Sequence, residues 1–171
     1  MAQELAKLVE IEHATAVRFT RVFTVGDWAL WKLLTERDLV KQWFPQEYTF
    51  EPWGGGEIQF HSDEAEGLEE GVIVQHEAPH HLVFTWGENE ISYFVEPLDD
   101  DNVRFYLQDT LAHPNEAARN AAGWELCLAD LERLTKGQTP ALFDMDEWKR
   151  HYAAYQQAGF ASGADVPGLD E

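Results

Sequence analysis

The sequence is poor in cysteine and in basic residues, and it contains no long apolar run. Cys127 is the only cysteine among 171 residues, so no disulfide can form within the chain. Only 12 Lys and Arg side chains accompany 32 Asp and Glu, which gives a net charge of -20. Because this charge repels nucleic acid and anionic membrane surfaces, neither is an expected partner.

Targeting and membrane signals are also missing. The first residues have neither the basic residues nor the apolar run of a signal peptide, and no stretch approaches the length that spans a bilayer. We therefore expect a cytoplasmic protein with one main domain, since 171 residues suffice for a sizeable core. Seven tryptophans predict that this core is rich in rings.

Patterns that would bind a phosphate, a metal or a cofactor are weak. Gly54 to Gly56 run into an alternating strand rather than a helix, so we interpret them as a hairpin bend and not as a phosphate cradle. His76, His80 and His81 straddle one turn, with His61 on another strand, and consecutive histidines diverge on a strand. No metal or cofactor is expected.

The periodicity of apolar residues predicts an α+β fold. Residues 14–24 alternate as a first strand, and two short helices follow, beginning at Asp27 and Thr35. From Gln46 to Leu111 the period is two, and the short connections require antiparallel neighbours. One sheet face is expected to be apolar, with Ile58, Phe60, Val72, Val74, Leu82, Phe84, Trp86, Ile91, Tyr93, Val95, Val103, Phe105 and Leu107.

Two helices are expected after the strands. Asn115 to Lys136 has an apolar face that can cover the sheet, and Gly137 ends it. Its N-terminal half is rich in Ala and Gly, so it can approach the sheet closely or leave room beside it. A shorter helix is predicted for residues 144–158, with Asp144 and Glu147 as a capping box, before a tail that frays from Ala158 onward.

Four separated motifs then resemble a known family. They are Trp31-Lys32-Leu33-Leu34-Thr35, Leu39-Val40-Lys41-Gln42-Trp43-Phe44, Pro52-Trp53-Gly54-Gly55-Gly56 and Gly123-Trp124-Glu125-Leu126-Cys127-Leu128-Ala129-Asp130-Leu131. In this order they resemble the activators of the heat-shock protein 90 ATPase, within the SRPBCC, START-like or Bet v 1-like superfamily. The resemblance covers roughly residues 14–137.

This resemblance implies a helix-grip domain over residues 1–137, followed by an extension over residues 138–171. Its curved sheet would have seven antiparallel strands wrapped around the long helix, with an apolar cavity between them. Members of the superfamily commonly bind lipids, sterols or polyketides, and some are cyclases or hydrolases. The chain departs from the pattern in carrying Asp109 at the cavity-facing end of the last strand, and in its additional helix.

The candidate ligand-binding residues are mostly aromatic, as expected for an apolar pocket with few polar anchors. The alternative is that the same rings fill the core. Trp43, Phe44 and Trp53 are the stronger candidates because they lie on connecting segments. The full set is Trp43, Phe44, Trp53, Phe60, Trp86, Tyr93, Phe105, Trp124 and Leu128.

Catalytic candidates are few. Asp109 continues the apolar face of the last strand, and His76 follows Val72 and Val74, so either could point into a cavity as a base. For Asp109 the alternative is a salt bridge or an exposed strand end. No nucleophile elbow, Ser-His-Asp spacing or paired carboxylate supports hydrolysis.

Three functions remain open at this point. The leading hypothesis is a non-enzymatic domain that binds a small hydrophobic ligand in its cavity. The second is a protein-interaction or chaperone-regulating module, as the family name suggests. Trp148, Tyr152 and Tyr155 would then contact a partner, a second copy, or the chain's own domain. The third is a cyclase or hydrolase that uses Asp109 or His76.

Overall fold

A computed structural model describes residues 5–61 and 69–164. Its described part contains eight strands, four α-helices and one short 3-10 helix. In chain order they are β1 Lys7–Ile11, β2 Ala14–Phe23, α1 Asp27–Thr35, α2 Arg37–Val40, β3 Glu47–Phe50, β4 Glu57–His61, β5 Glu69–Glu77, β6 His81–Trp86, β7 Asn89–Asp99, β8 Asn102–Leu111, the 3-10 helix Pro114–Glu116, α3 Ala117–Thr135 and α4 Met145–Gln157. Within this part no helix is both long and apolar enough to cross a membrane.

The strands form one antiparallel sheet in the order β1-β2-β8-β7-β6-β5-β4-β3. Pairing of β2 with β8 brings the start of the chain beside its last strand, and α3 then packs on the apolar face. The α+β helix-grip architecture is thereby confirmed. The sheet has one strand more than the predicted seven, because Lys7–Ile11 folds back on β2 and forms an edge strand that is largely exposed.

The glycine run is a hairpin bend, as the alternating residues after it predict. Gly55 has a φ of +90°, which a residue with a side chain rarely adopts, and β3 and β4 pair on either side of the bend. Gly55 N also donates to Ile73 O at 2.7 Å, while Ile73 N donates to Gly56 O at 2.8 Å. These two bonds attach the bend to β5.

The predicted apolar face is wrong for β5. Val72 and Val74 are each 50% exposed, whereas Ile73 between them is fully buried. Gly71 lies opposite Ile58 in the register, and a Cβ there would meet Thr85 O at 2.5 Å, so this position admits only glycine. Because the sequence around Ile73 is apolar at three successive positions, alternation alone could not determine which side faces inward.

The extension beyond Gly137 packs on the outer side of α3. Asp144 caps α4, as predicted, by accepting from the N–H groups of Asp146 and Glu147. Tyr155 is fully buried, its hydroxyl donates to Glu125 Oε1 at 2.5 Å, and Glu125 also pairs with Arg21 at 2.9 Å. The α4 helix therefore contributes to the same core as the sheet.

This packing selects one of the alternatives left open for the C-terminal aromatic residues, and it corrects the expectation about the tail. Trp148 and Tyr155 are buried against their own domain, so they do not form a free surface for a partner, and Tyr152 stacks on Trp148 at 4.8 Å. The tail does not fray at Ala158: Phe160 is buried and Ala161 O accepts from Ala118 N at 3.0 Å. The rest of the predicted tail, residues 165–171, lies outside the described residues.

Candidate ligand-binding groove

The space between the sheet and α3 is filled by the protein's own rings. Phe44 lies at the centre, with ring centroids 4.9 Å from Trp86, 5.1 Å from Tyr48, 5.6 Å from Trp124 and 6.3 Å from Phe84. These are ordinary contact distances for aromatic pairs, so the rings leave little space among themselves. Most of the predicted ligand-binding residues are almost fully buried, namely Trp43, Phe44, Phe60, Tyr93, Phe105, Trp124 and Leu128.

The polar atoms of this interior are satisfied internally. Tyr48 donates its hydroxyl to Leu34 O at 2.5 Å and lies 3.2 Å from the Tyr93 hydroxyl. Burial raises the pKa of both tyrosines, so both hydroxyls stay protonated at neutral pH. The centre of the domain is consequently a packed core, in contrast to the apolar cavity that the sequence resemblance implies.

Open space lies instead along one side of α3, where two clefts adjoin. The first has a volume of about 350 Å³ and the second about 460 Å³. Pro45, Gly123 and Cys127 line both, so the two clefts are neighbours, and we term them together the α3 groove. The first cleft is also lined by Trp86, Gly87, Glu88, Asn89, Glu116, Arg119, Asn120 and Trp124, and the second by Lys41, Gln42, Trp43, Phe44, Leu126, Asp130, Leu142 and Phe143.

Local sequence explains why the groove exists here. Gly123 of α3 has no side chain at the place where both clefts are lined by the helix, and a Cβ added there would meet only Trp148 Nε1, at 3.9 Å. The opposite wall is the segment between α2 and β3, which is fixed because Trp43 Nε1 donates to Leu33 O at 2.7 Å and Trp86 Nε1 donates to Gln46 Oε1 at 3.0 Å. The groove is therefore a gap between two rigid elements.

Asp109 lies beneath the first cleft and is almost completely buried. Its Oδ1 accepts from Asn89 Nδ2 at 3.1 Å, and its Oδ2 accepts from Asn120 Nδ2 at 3.1 Å and from Trp124 Nε1 at 3.0 Å. Burial raises the pKa of Asp109, and these three hydrogen bonds to the carboxylate partly oppose that shift.

Neither of the two alternatives for Asp109, a salt bridge or an exposed strand end, is correct. It is not an exposed strand end, and within the described residues it makes no ion pair, since the three donors are neutral side chains. Asp109 does not line the groove itself. It holds three side chains that do, one from β7 and two from α3, and so it fixes the helix against the end of the sheet.

The other catalytic candidate, His76, lies elsewhere. A bulge between Ile73 and Gln75 places His76 opposite Leu82 and on the inward side, where its ring lies 5.8 Å from Trp31 and 6.0 Å from Phe50. His76 does not line the α3 groove. The two candidates therefore have separate surroundings and do not form a joint site.

Trp53 and the predicted histidine cluster lie away from the α3 groove. Trp53 is 54% exposed in the bend between β3 and β4 and does not line the groove. Of the histidines, His80 approaches Asp27 at 3.1 Å, His81 packs on Phe94 and His61 bonds Thr49 at 2.9 Å. In residues 5–61 and 69–164 no three His, Cys, Asp or Glu side chains are grouped to hold a metal ion.

Several residues that line the groove were not among the sequence candidates. Cys127 lines both clefts, and burial raises its pKa to about 12 with a further contribution from Asp130. Leu142 and Phe143 of the segment before α4 are more than 60% exposed and line the second cleft. The one available signal was the run of small residues in α3.

Comparison with known proteins agrees with this fold. The model of the family described as Activator of Hsp90 ATPase homolog 1-like protein matches residues 28–136. No curated protein matches the chain.

Solved structures of the same fold come from several bacteria. A conserved protein of unknown function, EF2215 from Enterococcus faecalis, is 19% identical with a TM-score of 0.72, covering 90% of this chain and 91% of its own. The crystal structure of CalU16 from Micromonospora echinospora is 17% identical with a TM-score of 0.69, and the coverages are 92% and 98%. The Aha1 dimer from Colwellia psychrerythraea is 15% identical with a TM-score of 0.57, and the coverages are 70% and 95%.

Proposed function

This chain belongs to the family of Activator of Hsp90 ATPase homolog 1-like proteins, and from that premise we propose that it binds a small apolar ligand in the α3 groove. The helix-grip fold is compatible with ligand-binding or regulatory domains in general, so the fold alone does not identify a ligand and the geometry of the site has to support it. The observation that carries the proposal is the pair of neighbouring clefts, of about 350 and 460 Å³, that share Pro45, Gly123 and Cys127 as lining residues. These volumes are in the range of small-molecule sites.

The groove has the composition of a binding site for an apolar molecule. Trp86 and Trp124 flank the first cleft, and Leu126, Leu142 and Phe143 flank the second. A ligand that buries about 200–300 Å² at roughly 25 cal/mol per Å² gains about 5–8 kcal/mol before the costs of association. Micromolar affinity is therefore expected.

Exposed apolar side chains at the second cleft add support. Leu142 has a φ of +66°, which is uncommon for a residue with a side chain, and it is 72% exposed. Phe143 beside it is also largely exposed. A bound apolar molecule would remove these two side chains from water, which is a favourable change that the free protein does not make.

The single cysteine provides a direct test. Burial raises the pKa of Cys127 to about 12, so its reaction with a neutral thiol reagent is followed at alkaline pH, where more of the reactive thiolate is present. Because Cys127 lines both clefts, an occupied groove should slow this reaction further, while tryptophan emission shifts through Trp86 and Trp124. We expect both signals to saturate together as decanol, a sterol or a flavonoid is titrated. If none of these changes either signal, the proposal is wrong.

A blocked groove serves as the control. Gly123→Leu adds bulk where the two clefts meet, and it should abolish the shift in emission. The matched control is Ala129→Leu, which adds the same side chain to the same helix outside the groove lining. Gly137→Leu is unsuitable as a control because Gly137 has a positive φ. A Gly123→Leu protein that is folded and binds as tightly as wild type would contradict the proposed location.

A chaperone-regulating role is a second candidate, supported by the family and by two tryptophans outside the core. Trp28 is 58% exposed and Trp53 is 54% exposed, and exposed tryptophans are enriched at protein interfaces. If this role is correct, the protein should stimulate the ATPase of a purified heat-shock protein 90, and Trp28→Ala or Trp53→Ala should weaken the stimulation without loss of stability. An unchanged ATPase rate would exclude it.

A further inference from the structure

The two ends of the α3 groove differ in polarity, and this difference restricts the ligand. The second cleft has an apolar wall that includes Trp43, Leu126, Leu142 and Phe143, and its polar lining residues are Lys41, Gln42 and Asp130. Glu88, Asn89, Glu116, Arg119 and Asn120 contribute polar atoms to the first cleft. An elongated molecule lying in the groove would therefore have its apolar part in the second cleft and its polar part in the first.

The carboxylates of Glu88 and Glu116 supply hydrogen-bond acceptors at the polar end. Asn89 uses both amide hydrogens, one on Asp109 at 3.1 Å and one on Glu116 at 3.3 Å, and its carbonyl oxygen accepts from Ala112 N. Asn120 likewise donates to Asp109 and accepts from Arg119 Nε at 3.0 Å. The carboxylates of Glu88 and Glu116 retain further lone pairs, because each carboxylate can accept several bonds.

The charge balance at this end is negative. Glu88 and Glu116 line the first cleft together with one cation, Arg119, which contacts Glu116 at 3.3 Å, while His113 Nε2 lies 2.8 Å from Glu88 Oε2. The partial positive charge at the start of α3 is faced by Glu116, which immediately precedes Ala117. The net charge of -20 adds to the same sign of potential over the whole surface.

Aromatic faces at the first cleft favour the same class of ligand. Trp86 and Trp124 lie 5.9 Å apart in an edge arrangement and both line this end of the groove. A cation near a tryptophan face is attracted by the ring quadrupole. Carboxylate oxygens and indole rings together make a setting that suits an ammonium group and repels a carboxylate.

We propose that the ligand of the α3 groove is an apolar molecule with a protonated amine, and that the amine lies in the first cleft between Glu88, Glu116 and the two tryptophans. This inference rests on the proposed function, and it names the chemical class of the ligand. It excludes free fatty acids as preferred ligands, because a carboxylate in the first cleft would meet Glu88 and Glu116. In the second cleft the lysine that lines it, Lys41, already approaches Asp38 at 3.8 Å.

Three probes of equal chain length test the inference directly. Decylamine, decanol and decanoate are titrated into the full-length protein below their aggregation concentrations and at physiological salt, and dissociation constants are measured by calorimetry. We expect decylamine to bind at least about tenfold more tightly than decanoate, with decanol between them, because one charge changes sign beside the carboxylates. Decanoate binding as tightly as decylamine would overturn the inference.

Charge variants separate the groove from the general charge of the protein. Glu88→Gln and Glu116→Gln should each narrow the ratio between decylamine and decanoate. Glu88 is largely exposed, so that variant should fold normally even if Glu116→Gln does not. Asp100→Asn removes the same charge at the turn between β7 and β8, at the opposite end of β8 from Asp109, and it should leave the ratio unchanged. Equal effects of Glu88→Gln and Asp100→Asn would contradict the inference.

The outcomes distinguish this inference from the proposed function. If none of the three probes binds, the inference about the amine fails, and the proposed function fails with it only if the sterol and the flavonoid also give no signal. If all three bind equally and Gly123→Leu abolishes binding of all three, the groove remains the binding site and only the inference about the amine fails.

Discussion

The ring-filled interior and the α3 groove share aromatic residues, yet only the groove has room for a ligand. In the interior, large side chains such as Phe84 and Tyr93 meet ring to ring and exclude water. Beside Gly123 and Cys127 of α3, clefts of about 350 and 460 Å³ remain. The difference shows that rings can fill the space between sheet and helix while clefts remain beside the same helix.

The largest expected effect is in the packed half. Phe84→Ala removes a fully buried ring that contacts Phe44, Tyr48, Phe60 and Tyr93, and it should lower the free energy of unfolding by about 3–5 kcal/mol. Phe143→Ala in the groove is the matched change and should alter it by about 0.5 kcal/mol or less. Urea denaturation measures both. Equal losses would mean that the two regions do not differ in packing.

The next largest effect should come from the buried ion pair between Arg21 of β2 and Glu125 of α3. Glu125→Ala leaves Arg21 buried without its partner and removes the acceptor of the Tyr155 hydroxyl, so it should cost about 3 kcal/mol. The double variant Arg21→Met with Glu125→Leu should recover much of this loss, because no unpaired charge remains. A double variant as unstable as the single one would contradict the assignment of the loss to the unpaired arginine.

Asp109 provides a smaller effect that depends on pH. Asp109→Asn replaces one carboxylate oxygen, which accepts, by an amide nitrogen, which donates and would face the donors of Asn89, Asn120 and Trp124. The variant should therefore lose about 1–3 kcal/mol of the free energy of unfolding. Burial raises the pKa of Asp109 in the folded protein above its ordinary 3.8, so the folded state holds this proton more tightly than the unfolded chain. Stability from this group is therefore greatest at low pH and falls as pH rises through the folded pKa.

The advantage of wild type over Asp109→Asn should consequently shrink as pH increases through that value. A carbon-13 NMR titration identifies the folded pKa, since the Asp109 carboxyl signal is absent from the variant. Denaturation of both proteins across the same pH range then gives the difference in stability. An Asp109 pKa at or below 3.8 would show that the hydrogen bonds outweigh burial.

The smallest effect should be a gain in stability in the groove. Gly123→Ala supplies a helix interior with a better helix former, and its Cβ would meet only Trp148 Nε1 at ordinary contact distance. The variant should be more stable by about 0.5–1 kcal/mol and bind decylamine more weakly. Thermal unfolding and calorimetry check the two results. A loss of stability would show that Gly123 is required for packing, not for the groove.

Much of the fold could be predicted from the sequence. Alternation from Gln46 to Leu111 and the short turns predict the antiparallel strands, and the spacing of apolar residues with Gly137 predicts the long helix. The error at β5 has a local cause, since three successive apolar residues fit either register. The edge strand at Lys7–Ile11 was missed because its residues are largely exposed and its pairing depends on β2.

The site was predictable only in outline. Trp43, Phe44, Trp86 and Trp124 were predicted as lining residues and do border the groove, while Phe60, Tyr93, Phe105 and Leu128 belong to the buried core. Periodicity indicates which side of a strand is apolar, but it does not indicate whether opposing rings touch. That depends on the depth at which α3 lies on the sheet, to which bonds such as Trp124 to Asp109 contribute.

By itself the sequence determined the order and type of the main elements, the ring-rich core and the strongly negative surface, because these follow from local periodicity, composition and charge. Only the tertiary structure decided that the interior is packed, that Tyr155 joins α4 to the core, and that space remains along Gly123. Those outcomes depend on contacts between residues far apart in the chain, whose distances are set when helix and sheet pack together.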